Sequence, residues 1–131
     1  MAYNSFTEMP VWQVAMDTAV KIFELTNGLP RKEDYGLTSQ LRRSALSISG
    51  NIAEAFGRYH TKDKINFYFV ARGSITETQS HIEYAKRVGY INKSMLEEIE
   101  SNLSNLLHDI NKVIVTLRKS NTYEVKAKVK V

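Results

Sequence analysis

The chain of 131 residues carries 18 Lys and Arg against 14 Asp and Glu, a formal net charge of +4, and no cysteine. That length supports one domain with a sufficient core, and the missing cysteines exclude disulfides, thiolate metal sites and cysteine nucleophiles. No apolar stretch approaches the roughly 18 residues of a membrane span, and residues 1–12 lack the basic start and apolar run of a secretory signal, so a soluble cytoplasmic protein is expected.

The positive excess is local. From Arg118 onward stand five basic residues (Arg118, Lys119, Lys126, Lys128, Lys130) and one acid, Glu124, which leaves 13 basic and 13 acidic residues before them. A balanced body argues against adhesion to nucleic acid over the whole surface, so any such binding must come from local patches.

Both prolines, Pro10 and Pro30, fall where a helix would begin or be separated from the next. The first helical segment runs from about 9 to 26, with Trp12, Ala15, Met16, Ala19, Ile22 and Phe23 on its inner face. Asn27-Gly28 is expected to end it by tolerating positive φ. The second runs from Asp34 or Leu37 to Phe56, stopped by Gly57. At about 100° per residue, Leu41, Ala45, Ile48, Ile52 and Phe56 form its apolar face, and Arg43, Ser47, Asn51, Glu54 and Arg58 lie opposite. Between them runs a flank of Leu46, Gly50, Ala53 and Gly57. A surface helix ordinarily has one apolar stripe and one charged back. This one predicts a helix covered on more sides than a small monomer can manage.

The third segment starts at Thr61 as N-cap and continues to Val88, with Gly89 as terminator and a stripe of Phe67, Ala71, Ile75, Ile82 and Ala85. The fourth opens with Ser94 and Glu97 at capping-box spacing, followed by the stripe Leu96, Ile99, Leu103, Leu106, Ile110, Val113 and Leu117. Four amphipathic segments with short connections predict an all-α, up-down-up-down antiparallel four-helix bundle over residues 1–119. Residues 120–131 are expected to form a flexible, disordered basic tail.

The run Glu33-x-Tyr35-Gly36-Leu37-Thr38-x-Gln40-Leu41-Arg42-Arg43, continued by Ser47-Ile48-x-x-Asn51-Ile52-Ala53-Glu54 and Gly57-Arg58, resembles a known family. So do Ala71-x-Gly73-Ser74-x-x-Glu77, Gly89-Tyr90-Ile91 and the Val11-Trp12-x-x-Ala15 start. The family comprises bacterial four-helix bundle proteins encoded within intervening sequences of 23S ribosomal RNA genes. One departure is Ala55, where the family usually has glycine. The resemblance implies a homopentamer. It also implies kinship with accessory proteins of diversity-generating retroelements, basic pentameric barrels that associate with a reverse transcriptase and nucleic acid. Most members have no established biochemical activity.

Among single residues, Glu77 shares an arc of the third helix with Val70, Ser74, His81, Tyr84 and Val88, partly out of water. Such a carboxylate must be paired or protonated, and Arg43 or Arg42 on the second helix is the expected partner. Arg43, Ser47, Asn51, Glu54, Ser74 and Glu77 are therefore the structural and interface candidates. A metal site of Glu54, Glu77 and His81 fails the Glu-x-x-His spacing of di-iron bundles. No serine has a glycine elbow and no glycine-rich phosphate loop is present, so a non-enzymatic protein without cofactor is expected.

Basic residues are the remaining signal. Arg31, Lys32, Lys86, Arg87 and Lys93 should gather at the end shared by the first and third turns. Arg58, Lys62 and Lys64, with Arg118 and Lys119, should gather at the other. A ring of subunits would multiply each cluster into a field for the phosphates of RNA or DNA. The nucleic-acid candidates are Arg31, Lys32, Arg58, Lys62, Lys64, Lys86 and Arg87. The alternative is a protein-interaction scaffold or accessory subunit, for example of a reverse transcriptase, without nucleic-acid binding of its own.

Overall fold

The computed structural model describes residues 3–129, with side chains for 3–121. A short 3-10 turn at Phe6–Glu8 precedes α1 (Pro10–Asn27), and a second, Arg31–Glu33, leads to α2 (Leu37–Gly57); α3 (Thr61–Arg87) and α4 (Lys93–Val129) follow. Each helix packs on the next, and α1 closes against α4. Across the diagonals, α1 with α3 and α2 with α4, no Cα atoms come within 8 Å among the described residues. This is the antiparallel four-helix bundle that four amphipathic stripes with short loops demand.

Branched aliphatics fill the centre: Ile22, Leu41, Ile48, Ile52, Ile75, Ile82, Ile99, Leu103, Leu106, Ile110 and Ile114 are essentially fully buried. Several residues of the expected apolar stripes are only partly buried, Phe56, Phe67, Val113 and Leu117 among them, and α1 departs most. Phe23 is 51% exposed, and Trp12 and Met16 are only half-buried, because α1 turns its Val11–Ala15–Thr18–Ala19–Ile22–Leu25 arc inward. The apolar arc of α1 is wider than its two neighbours can cover, so one edge of it stays outside.

Helix ends differ from expectation in three places. Gly28 has φ −91°, within the right-handed region, so positive φ does not end α1. Tight bonds from Gly28 N–H to Leu25 O (3.1 Å) and from Leu29 N–H to Thr26 O (3.2 Å) close it, ahead of Pro30. Asn92, not Ser94, caps α4: its Oδ1 accepts from Met95 N–H at 2.8 Å. The position before α3 is His60, and no side chain caps that helix. Gly89 does adopt φ +80°, and Tyr90 N–H donates to Ala85 O at 2.9 Å, a left-handed glycine ending to α3.

The backbone of α4 continues through residues 120–129, where composition suggested a disordered tail. No Gly or Pro stands between Lys93 and Val129, and extending a formed helix adds one hydrogen bond per residue without a new nucleus. Residues 130 and 131, and the side chains of Lys126, Lys128 and Lys130, lie outside the described residues. At 37 residues against 27, α4 is longer than α3 by ten, or about 15 Å at 1.5 Å per residue.

Candidate functional site

The most extensive helix contact, α2 on α3, is lined with hydroxyls. Ser47 and Ser74 pair through their Oγ atoms at 2.8 Å. One turn away, Thr78 Oγ1 lies 2.9 Å from Ser44 Oγ and donates to Ser74 O at 2.8 Å. Asn51 Nδ2 donates to Ser47 O (2.7 Å) and Ser47 Oγ (3.0 Å). Small hydroxylated residues let two helices approach closely while satisfying one another. Five of the six interface candidates, Arg43, Ser47, Asn51, Ser74 and Glu77, thus meet in one seam within a single chain. Glu54 stands apart, paired with Arg58 of its own helix at 3.3 Å. The Ser44–Thr78 pair was missed, although a serine inside the apolar arc of α2 is itself a signal for a buried partner.

Glu77 binds Arg43 by an ion pair and His81 Nε2 at 3.3 Å. Partial desolvation pushes its carboxyl up, but the hydrogen bonds and charge of Arg43 and His81 outweigh this and hold it below the usual carboxylate value. Arg42 turns the other way. Its Nε donates to Thr26 Oγ1 (2.7 Å), a second nitrogen donates to Asn27 Oδ1 (3.0 Å), and the guanidinium lies 4.8 Å from the Phe23 ring centroid. Of the two arginines offered as partners for Glu77, Arg43 is the one used.

Beside this seam the outer face of α2 is bare. Leu46 is 57% exposed, and no atom lies within 4 Å of a Cβ built at Gly50 or Gly57. Half-exposed Val20 and Phe23 of α1 flank it, forming with Met16, Ala19, Arg42 and Leu46 an apolar groove of about 240 Å³. On the α3 side Val70 is half-exposed, Gly73 one turn on is equally open, and Tyr84 is half-exposed near the end of the helix. The groove of Val20, Phe23 and Leu46 is exposed apolar surface of the kind that marks interaction faces.

The basic ends are less free than composition suggests. Arg87 Nε binds Glu83 at 2.9 Å, and that hydrogen bond, with the charges of Lys86 and Arg87, lowers the Glu83 carboxyl. Arg58 pairs with Glu54 and lies over the Phe67 ring at 4.6 Å. Lys64 Nζ donates to Ala55 O (3.1 Å) and Phe56 O (3.2 Å), capping the end of α2. Arg31, Lys32, Lys62 and Lys86 are exposed and make no ion pair among the described residues. Among the described residues no group of three His, Asp or Glu side chains could hold a metal ion, and no helix is long and apolar enough to cross a membrane.

The profile described as 23S rRNA-intervening sequence protein matches residues 7–112, the whole four-helix body up to the last turns of α4. The chain belongs to that family. A crystal structure of a protein of unknown function from the S23 ribosomal protein family of Bacteroides thetaiotaomicron shares the fold, with a TM-score of 0.74 and 27% identity. The match covers 79% of this chain and 97% of that one. No curated protein matches. Two of the family-like motifs, 57 positions apart, meet here: Tyr90 O–H donates to Glu33 Oε2 at 2.9 Å, and this bond raises the Tyr90 phenol. Glu33 Oε1 in turn accepts from Leu37 N–H at 3.4 Å, so one carboxylate ties both loops at that end to the start of α2. Ala55, the departure from the family pattern, is fully buried and accommodated.

Proposed function

We propose that this member of the 23S rRNA-intervening sequence protein family is a non-enzymatic subunit of a homo-oligomer, a pentamer, that binds RNA or DNA through cations at the bundle ends. The observation that carries the reading is the uncovered outer face of α2, where exposed Leu46 shares an apolar groove with Val20 and Phe23 of α1 and Gly50, one turn on, leaves a smooth backbone. Burying such a face against a copy removes apolar area from water at about 25 cal/mol per Å², and the glycines admit close backbone approach. Arg31, Lys32, Lys62 and Lys86, the candidates without an ion pair, are the phosphate contacts, repeated around the ring.

Light scattering after size exclusion tests the assembly: the mass expected is five times the 15.0 kDa chain, and Leu46→Lys should reduce it to one. A wild-type monomer overturns the reading. Fluorescence anisotropy with structured RNA and duplex DNA at varied salt tests the second half. Affinity should fall steeply with salt and drop when Arg31, Lys32 and Lys86 become Glu together. An oligomer that binds neither nucleic acid at low salt favours the scaffold reading, in which a partner such as a reverse transcriptase supplies the activity. The internal partners of Arg58, Lys64 and Arg87 favour that second reading, because they subtract three of the seven candidate cations from the free surface.

A further inference from the structure

Where α2 ends and α3 begins, a cavity of about 550 Å³ opens between the N-terminal segment and α2, α3 and α4. Its volume falls in the usual range of small-molecule sites, about 300–1,000 Å³. None of its walls belongs to the outer face of α2. Met9, Phe56, Val113 and Leu117 supply an apolar lining. Polar groups reach it from three segments: Lys64 and Tyr68 from α3, Lys112 and Thr116 from α4, and Tyr3 from the N-terminal segment.

Both lysines are pure donors, and no carboxylate lines the cavity. Tyr68 is only 4% exposed and its side chain forms part of the wall. Burial pushes its phenol up to about 12, with the nearby Tyr3 adding to the shift, so it stays protonated and able to donate. Lys64 spends two hydrogen bonds on the carbonyls of Ala55 and Phe56, which fixes its ammonium at the wall and leaves one of its three donors. No carboxylate lies within ion-pair distance of Lys64 or Lys112 among the described residues. Two ammoniums and a phenol O–H line one cavity with no carboxylate to meet them. A ligand that brings an acidic oxygen to this spot, and apolar carbon to the rest, gains charge-assisted hydrogen bonds that a neutral or cationic one does not.

We propose that this cavity binds an amphipathic carboxylate, an apolar chain bearing a single anionic head, with the head accepting hydrogen bonds from Tyr68 and the lysine ammoniums. The site is independent of assembly and of nucleic acid. A phosphate backbone has no apolar body to fill the lining. The helical extension of a second copy's α4, basic by composition, would meet two lysines of its own sign.

Titration calorimetry on the full chain decides it, with decanoate, decanol and decyltrimethylammonium as probes at fixed ionic strength. Decanoate should bind saturably at one per chain, and decyltrimethylammonium at least about tenfold more weakly. Lys112→Glu, a change at an exposed position, should weaken decanoate about tenfold with decanol little altered and the thermal melt unchanged. Tyr68→Phe should weaken decanoate by a similar factor, that of one charge-assisted hydrogen bond. Equal affinity for the three probes, no saturable heat with decanoate, or indifference to Lys112→Glu overturns the proposal. So does loss of binding on Leu46→Lys, which would move the site to the outer face of α2.

Discussion

Gly50 offers a test in which the sign of one effect separates two situations. It lies within α2, faces outward, and has no atom within 4 Å of the place a Cβ would occupy. Inside one chain, Gly50→Ala therefore meets nothing and gains only helix propensity, about 0.8–1.0 kcal/mol. For a domain of this size that corresponds to a melting temperature higher by about 4 °C. Against a copy packed on the same face the balance reverses, since added volume in a fitted contact costs about 1–3 kcal/mol. Two backgrounds separate the terms. In Leu46→Lys, where the face is charged and the chain single, urea unfolding should show Gly50→Ala stabilising. In the wild-type background, sedimentation equilibrium should show Gly50→Ala weakening association and Gly50→Leu abolishing it. Destabilisation of the single chain by Gly50→Ala, or an unchanged mass for Gly50→Leu, refutes the argument.

Three smaller effects follow from contacts within the chain. Glu77 has a folded pKa below its unfolded one, so its stabilisation is present above the unfolded value and disappears as pH falls through the folded value. Glu77→Gln should lower urea stability near neutrality by about 0.2–1 kcal/mol, the range for a screened, partly exposed pair; a deficit that persists below the carboxylate range contradicts this cause. Tyr90→Phe removes the bond to Glu33 and should lower the melting temperature slightly, with faster amide exchange at Leu37 because the same carboxylate holds both groups; unchanged exchange there breaks the link. Gly89→Ala forces a side chain into φ +80° and should cost roughly 1–2 kcal/mol in thermal unfolding.

Periodicity made the bundle legible. The α4 stripe follows from spacing at 3.6 residues per turn, α2 and α3 end at or near the glycines the sequence marked, and the arc of Glu77 called for an arginine of α2 without choosing between Arg42 and Arg43. Other features depend on what lies opposite, which spacing does not contain. Phe23 belongs to the apolar arc of α1 by angle, but only the position of α2 decides that it stays outside. Asn92 competes with Ser94 as a cap, and its side chain takes the Met95 N–H two residues earlier. The length of α4 was obscured by composition: a lysine-rich segment suggested a loose tail, whereas the absence of any breaker predicts continuation. For the basic candidates, charge was visible but commitment was not. The carbonyls that occupy Lys64 belong to another helix. The cavity beside Tyr68 arises from four separate segments, and no local pattern announces it.

The four sides of the bundle are unequal. α2 and α3 make the most extensive contact and are pinned within it by Ser47–Ser74, Ser44–Thr78 and Arg43–Glu77, whereas α1 meets α4 over the smallest of the four contacts. Partial opening follows the weakest boundary, so the α2–α3 pair is the hinge post and the gap between α1 and α4 is where the door swings. Through that gap the interior could be reached, or an element exchanged with a neighbour, while the paired middle helices keep their register.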